Sequence, residues 1–258
     1  MENIIVFIFG LSIGSFLNVC IYRLPIELSL VKPDSFCPSC KKEIKWYDNI
    51  PIVSYILLGG KCRYCKSKIS YLYPLIEIIT AIITLFFFSK WKYEPYWLFL
   101  SLIASYLLII VSVIDFKTML ISDFFSYSIA ILGLIAANFN PIFSGGFQER
   151  ILSSLSGILA GAGFIFALSY IGKLIYKKDA VGEGDMFLLG AIGSFMGVKG
   201  IVSVIIIASF IGSIYGISLI VFKKIDRLSY MPFGPFLSLA CIFNLYHYFD
   251  FVKFIIEV

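Results

Sequence analysis

Two aspartates carry the chemistry this sequence can do. One closes Gly182-Glu183-Gly184-Asp185, between the basic residues Lys173, Lys177 and Lys178 and an apolar run from Met186 to Gly197. A helix over those 12 residues covers roughly 18 Å, short of the ~30 Å hydrocarbon core of a bilayer. Asp185 therefore heads a half-helix or sits where a longer helix enters the membrane. The other is Asp115, in Val113-Ile114-Asp115-Phe116-Lys117 at the end of a second apolar run. Charge at that depth is expensive, which marks both acids as functional candidates. Two carboxylates within hydrogen-bond range cannot both ionise, so one serves as base and the other as acid. Such a pair can draw a proton from water as it attacks a peptide carbonyl and return one to the leaving amine. The competing reading is a pair of interfacial acids that mark helix ends. Asp123, eight residues after Asp115, is expected to serve as a helix N-cap.

Four cysteines form a second constellation. Cys37-Pro38-Ser39-Cys40 and Cys62-Arg63-Tyr64-Cys65 read C-x2-C, a 21-residue spacer, then C-x2-C. Four thiolates at such spacing suit tetrahedral zinc and leave no open position for catalysis, so the site reads as structural. Disulfides or metal-free thiols are the alternative, and a cytoplasmic location argues against the former. Cys20 and Cys241 fall in apolar runs and read as packing residues.

The elements that must position these groups are membrane helices. The 258 residues are 60% hydrophobic and 14% charged, well below the ~25% charged of a soluble domain. The apolar N-terminus carries Glu2 in place of a basic n-region and reads as a first span. Candidate spans are Ile4–Tyr22, Tyr73–Ser89, Tyr96–Ile114, Phe124–Phe143, Ile151–Ile171, Val181–Gly197, Ile201–Phe222 and Phe236–Phe249. With eight spans both termini share a side. Arg23, the eight bases from Lys32 to Lys68, Lys117, Lys173, Lys177, Lys178, Lys223, Lys224 and Arg227 then fall on one side. Lys90, Lys92, Arg150, Lys199 and Lys253 fall on the other, a division of 16 to 5. By the positive-inside rule the richer side is cytoplasmic and both termini lie outside. The net charge of +5 is spread over short loops, which gives no nucleic-acid footprint. The single histidine, His247, excludes a histidine-rich metal site.

Three organisational pieces follow: a first helix over residues 1–22, a cytoplasmic four-cysteine loop over 23–72, and a bundle of about seven helices over 73–258. The fold class is all-α, polytopic, with a zinc-ribbon-like loop domain. Further polar positions are Asn18 in Gly14-Ser15-Phe16-Leu17-Asn18, and Glu77, which reads as a first-turn acid or a bundle-facing residue. Met231-Pro232-Phe233-Gly234-Pro235 breaks the chain before the last span, and its free backbone must face protein or water.

Taken together these residues resemble the bacterial type IV prepilin peptidases, a family of GxGD-type membrane aspartic proteases. The resemblance rests on Gly14–Val19 with Ile21-Tyr22-Arg23-Leu24-Pro25, the two cysteine pairs, and Trp46-Tyr47-Asp48-Asn49-Ile50-Pro51. It continues through Tyr73-Pro74-Leu75-Ile76-Glu77, Ile114-Asp115, Gly182–Asp185 and Pro232–Pro235. It implies a bacterial inner-membrane enzyme that cuts the basic leader from prepilins and pseudopilins on the cytoplasmic side, with Asp115 and Asp185 as the catalytic pair. Gly182, Gly184, Pro232, Gly234 and Pro235 are the expected walls of its groove. It also implies N-methylation of the new N-terminus from S-adenosylmethionine by the complete four-cysteine loop, with Zn2+ held by Cys37, Cys40, Cys62 and Cys65. Asn18, Asp48, Asn49 and Glu77 are the methylation candidates. Prepilins and membrane lipids are the implied partners.

Two positions depart from the family pattern. Leu120-Ile121-Ser122-Asp123 stands where relatives often have Leu-Ile-Pro-Asp, and Leu72 where they often have Arg. Rival readings are a proton-coupled transporter with paired intramembrane acids and a non-catalytic zinc-ribbon scaffold. The lack of an internal repeat with paired broken helices disfavours the transporter.

Overall fold

The structure is a computed structural model that describes residues 1–176, 182–224, 226 and 230–251. Lys177, Lys178, Val181, Arg227 and Lys253 lie outside the described residues. The described chain is helical, with only two isolated antiparallel bridges, Phe36 with Glu43 and Lys61 with Lys68. Its α-helices are α1 (Glu2–Arg23), α2 (Val53–Leu57), α3 (Leu72–Trp91), α4 (Pro95–Thr118), α5 (Asp123–Ala136), α6 (Phe147–Tyr176), α7 (Glu183–Val221) and α8 (Gly234–Tyr246). Five of them, α1, α3, α4, α6 and α7, are long and apolar enough to cross a membrane, while α5 and α8 are shorter apolar helices. Large apolar side chains such as Phe99, Ile131, Leu159 and Phe166 are exposed along them. A soluble monomer does not carry that much contiguous apolar surface, whereas a lipid-facing one does. The chain is a multi-pass membrane protein.

It forms two compact units, Met1–Lys92 and Tyr93–Val258. In the first, α1 lies on α3 through small residues. A Cβ at Gly10 would sit 2.6 Å from the Ala81 Cα, and one at Gly14 equally close to the Glu77 Cα. Only glycine admits that approach, the usual way membrane helices gain contact where burial from water offers no drive. The Asn18 side chain donates to the Tyr73 carbonyl at 3.0 Å across the same seam.

The core of the second unit is α6 against the first half of α7. Gly157 and Gly161 of α6 meet the backbone of Leu189, Gly190 and Gly193 so closely that no Cβ fits at either. Unbroken, the 39 residues of α7 would run roughly 58 Å, about twice the hydrocarbon core. Gly197 breaks them, at φ 63 and ψ −179, a conformation essentially reserved for glycine. The candidate spans Val181–Gly197 and Ile201–Phe222 fall on the two sides of that break. Side chains bond the carbonyls just before the break. The Asn140 amide donates to Phe195 O at 2.7 Å, and the Ser154 hydroxyl to Ser194 O at 2.8 Å. Both donors are fully buried, so each satisfies a group that lipid could not.

Candidate active site and metal centre

Asp115 lies in the last turn of α4 and is 4% exposed. α4 stops three residues later, where Met119 turns left-handed at φ 53 and donates its N–H back to the Asp115 carbonyl at 2.8 Å. The chain then passes through Ile121 into α5. Ser122 holds the N-cap position without a side-chain bond, and Asp123 is the first helical residue, exposed. The N-cap expected at Asp123 is thus one residue earlier, and its acid serves as a first-turn charge, favourable at a helix N-terminus.

The segment Met231–Phe233 is irregular, and α8 begins at Gly234 with Pro235 in its first turn. Proline is tolerated there because no intrahelical bond is lost. The free N–H of Gly234 donates to Asp115 Oδ2 at 3.1 Å. A helix start aimed at a carboxylate is electrostatically favourable. The approach needs glycine, since a Cβ at 234 would sit 2.7 Å from Asp115 Oδ2 and 2.9 Å from Ile121 Cδ1.

Asp185 is in the first turn of α7, within electrostatic reach of Asp115. Its Oδ1 is buried and has no hydrogen-bond partner among the described residues. Gly184 packs on the same Ile121, where a Cβ would meet the Ile121 Cβ at 2.9 Å. Gly182 is exposed, and a Cβ there would meet only Asp185 Oδ2, at 3.7 Å. Of the two glycines before Asp185, the second is the one that packing demands. Ile121 therefore wedges between the starts of α7 and α8. Sequence reasoning misses it, because an apolar side chain in a short loop has no chemical signature. Pro232 is half-buried and Pro235 buried beside Gly234. Phe116 packs edge to face on Tyr215 and Phe236 at 6.0 and 6.1 Å, and the Tyr215 and Phe236 rings lie tilted at 5.6 Å.

The four cysteines of the first unit converge. Their Sγ atoms lie within 4.8 Å of one another, and Cys37 and Cys65 are 3.9 Å apart. A tetrahedron with ~2.3 Å metal–sulfur bonds has edges of roughly 3.8 Å, so the set fits one metal ion. The two pairs are folded alike. In each, the N–H of the first cysteine donates to the residue five positions on, Lys42 or Ser67, and a left-handed lysine, Lys41 or Lys66, closes the turn. Burial opposes the Cys37 thiolate, but the N–H groups of Cys40 and Ser39 and the hydroxyl of Ser67 pull its pKa down to about 6. The Lys42 N–H favours the Cys40 thiolate, but desolvation and hydrogen bonds from the other three cysteines push that thiol up to about 11. The metal-free cysteines thus share protons, and a bound cation would displace them.

The methylation candidates separate. Asn18 holds α3, as above. Asp48 takes a bidentate pair of bonds from Arg63, at 2.6 and 2.7 Å. Those bonds hold its carboxyl below the usual range against the cost of burial, and they tie the spacer to the second cysteine pair. Glu77 is the sixth residue of α3 and buried, beyond the first turn, so helix-dipole stabilisation is not its role. Its Oε2 accepts the N–H of Ile52 at 2.8 Å, a β-branched residue at φ 60, a conformation costing about 1–3 kcal/mol. Asn49 is exposed and lines a groove with α1.

Residues 8–91 match the family model described as the bacterial peptidase A24 N-terminal domain, and residues 102–217 match the type IV leader peptidase family. A "Type 4 prepilin-like proteins leader peptide-processing enzyme" of Escherichia coli O78:H11 (strain H10407 / ETEC) is 36% identical, over 92% of this chain and 91% of that protein. A "Prepilin leader peptidase/N-methyltransferase" of Neisseria gonorrhoeae is also 36% identical, over 90% of this chain and 86% of its own length. One of Aeromonas salmonicida is 33% identical, over 92% and 87%. No solved structure matches the chain. With both parts of the chain matched and relatives covered nearly end to end, the chain belongs to the type IV leader peptidase family.

Proposed function

We propose that this protein cleaves the leader from type IV prepilins or pseudopilins and then N-methylates the new N-terminal residue. The relatives' names support both activities. The observation that carries the cleavage reading is the corner in which Asp115 accepts the Gly234 N–H and the buried Asp185 Oδ1 has no partner among the described residues. One carboxylate of the pair takes a proton from water as the water oxygen attacks the scissile carbonyl carbon. The other, protonated, donates to the carbonyl oxygen. When the C–N bond breaks, the leaving amine takes up a proton from the pair. Gly182, Gly184, Pro232, Gly234 and Pro235 are the walls along which an extended substrate strand lies.

The loop over 23–72 serves methyl transfer and the helices from 73 to 258 serve cleavage. Zn2+ on Cys37, Cys40, Cys62 and Cys65 holds the loop in shape. All four positions are protein ligands, so its part is structural. S-adenosylmethionine supplies the methyl group. Eight crossings, counting α5, α8 and the two parts of α7 separately from α1, α3, α4 and α6, place the basic loops and the active site on the cytoplasmic side of the inner membrane. Both termini then lie outside.

The test is intact-mass spectrometry of a prepilin incubated with purified enzyme and S-adenosylmethionine. The reading predicts loss of the leader plus one methyl group. Loss of the leader alone would remove the methyl-transfer half, and an unchanged prepilin would remove both.

A further inference from the structure

A groove of about 390 Å³ runs beside α1 in the first unit, within the ~300–1,000 Å³ of small-molecule sites. Ser12, Ser15, Phe16, Val19 and Arg23 recur every three or four residues and share one helix face. The face carrying Gly10, Gly14 and Leu17 is occupied by α3 or buried. Leu30, Val31, Pro33, Asp34, Ser35, Asn49 and Pro51 of the loop close the other side.

Arg23 is the feature that asks for a ligand. It is 4% exposed. Three of the five N–H groups of a guanidinium are bound by carbonyls, those of Ser29 at 2.9 Å, Pro33 at 2.7 Å and Asp34 at 3.2 Å. These bonds pin the loop on the helix but do not neutralise charge. Among the described residues no carboxylate is in ion-pair range of Arg23. Its cation lies 5.9 Å from the Phe36 ring centroid. A buried cation without a counter-charge is costly and is resolved by an anion. Next to it the exposed carboxylate of Asp34 and the amide of Asn49 line the same groove. Phe16, Val19 and Leu30 supply apolar wall.

We propose that this groove is the binding site of S-adenosylmethionine, an inference that rests on the methyl-transfer reading. The ligand is a zwitterion with a flat base, and the groove offers partners to its carboxylate, to its ammonium or ribose, and to its base. Arg23 meets the carboxylate. Asp34 meets the ammonium or the ribose hydroxyls. Asn49 and the apolar wall take the adenine. In the transfer, the new N-terminal amine gives up a proton to water and attacks the methyl carbon. The N–C bond forms, the C–S bond breaks, and its electron pair stays on sulfur as S-adenosylhomocysteine. Of the four polar candidates in the sequence, Asn49 is the one that reaches this groove.

The experiment is equilibrium dialysis of radiolabelled S-adenosylmethionine and S-adenosylhomocysteine against the full chain in lipid nanodiscs. Wild type is compared with Asp34→Asn and with Val19→Trp, which fills the groove, and thermal unfolding reports that each is folded. The Asp34 side chain is exposed and makes no ion pair among the described residues, and Asn keeps its shape and the backbone carbonyl that Arg23 binds, which keeps the test clear of misfolding. Loss of a charged contact is expected to raise Kd about tenfold, and Val19→Trp by at least as much. If wild type binds and methylates while both variants bind as tightly, the groove is not the site and the methyl-transfer reading stands. If wild type neither binds the donor nor methylates, both fail. If the variants keep donor affinity but lose a co-purifying anionic phospholipid in native mass spectrometry, the groove is a lipid site and the proposal is overturned.

Discussion

At the scale of single residues, the site depends on how closely backbone approaches carboxylate. Gly234 is the sharpest case, because its N–H is bound to Asp115 while any Cβ would collide with Asp115 and Ile121. Gly234→Ala must push one of them aside. Displacing a catalytic group by a fraction of an ångström to one ångström costs about 10²-fold in rate. The expected outcome is a kcat for leader cleavage lower by about that factor, with the protein still inserted, read in a prepilin-cleavage time course. Unchanged kcat would mean that the Gly234 contact does not position the acid. The two aspartates were legible in sequence because charge is rare and expensive within apolar runs. Ile121 and Arg23 were not. An isoleucine in a loop signals nothing, and Arg23 reads as a cytoplasmic base within a family-like motif, with no role until its burial is known. Glu77 was legible as important, but its role was not. Its sequence position suggests a helix start, and only the structure shows it reaching Ile52.

At the scale of elements, irregular backbone is confined to places where side chains can satisfy it. The break at Gly197 is the clearest example. Asn140 and Ser154 bond the carbonyls beside it, each bond contributing about 0.6–2 kcal/mol in a membrane setting. The sequence reads the two parts as separate candidate spans, the first ending at Gly197, and the structure joins them in one helix broken at that residue. The sequence did not reveal the partners, which come from 40 and 55 residues away. The convergence of the four cysteines was legible from their spacing, while the matching turns closed by Lys41 and Lys66 were not. The cysteines yield an element-scale prediction. Cys37→Ser with Cys62→Ser leaves two ligands and no tetrahedral site. Elemental analysis of the purified protein is expected to fall from about one zinc per chain to near none, with methylation reduced more than cleavage. Undiminished zinc would rule out the four-thiolate site.

At the scale of the whole molecule, the helical class and membrane character follow from composition and are met by five long apolar helices. The span count is harder to read. α5 and α8 have 14 and 13 residues, which cover roughly 21 and 20 Å of a ~30 Å core. Length alone does not tell a short crossing from a buried helix. The proposal of eight crossings makes a direct prediction. Single cysteines introduced at Glu2 and Asn138 are expected to react with an impermeant maleimide from outside, and one at Lys224 only after permeabilisation. Labelling of Lys224→Cys in intact cells would remove the eight-crossing arrangement. The most direct test of the central claim is the cleavage rate of Asp115→Asn and Asp185→Asn, each reconstituted in lipid with a prepilin. If the two acids act as a pair, each substitution removes acid–base catalysis worth roughly 10²–10⁴-fold or more, while thermal unfolding stays that of a folded protein. Full cleavage by either folded variant would contradict the paired-aspartate account.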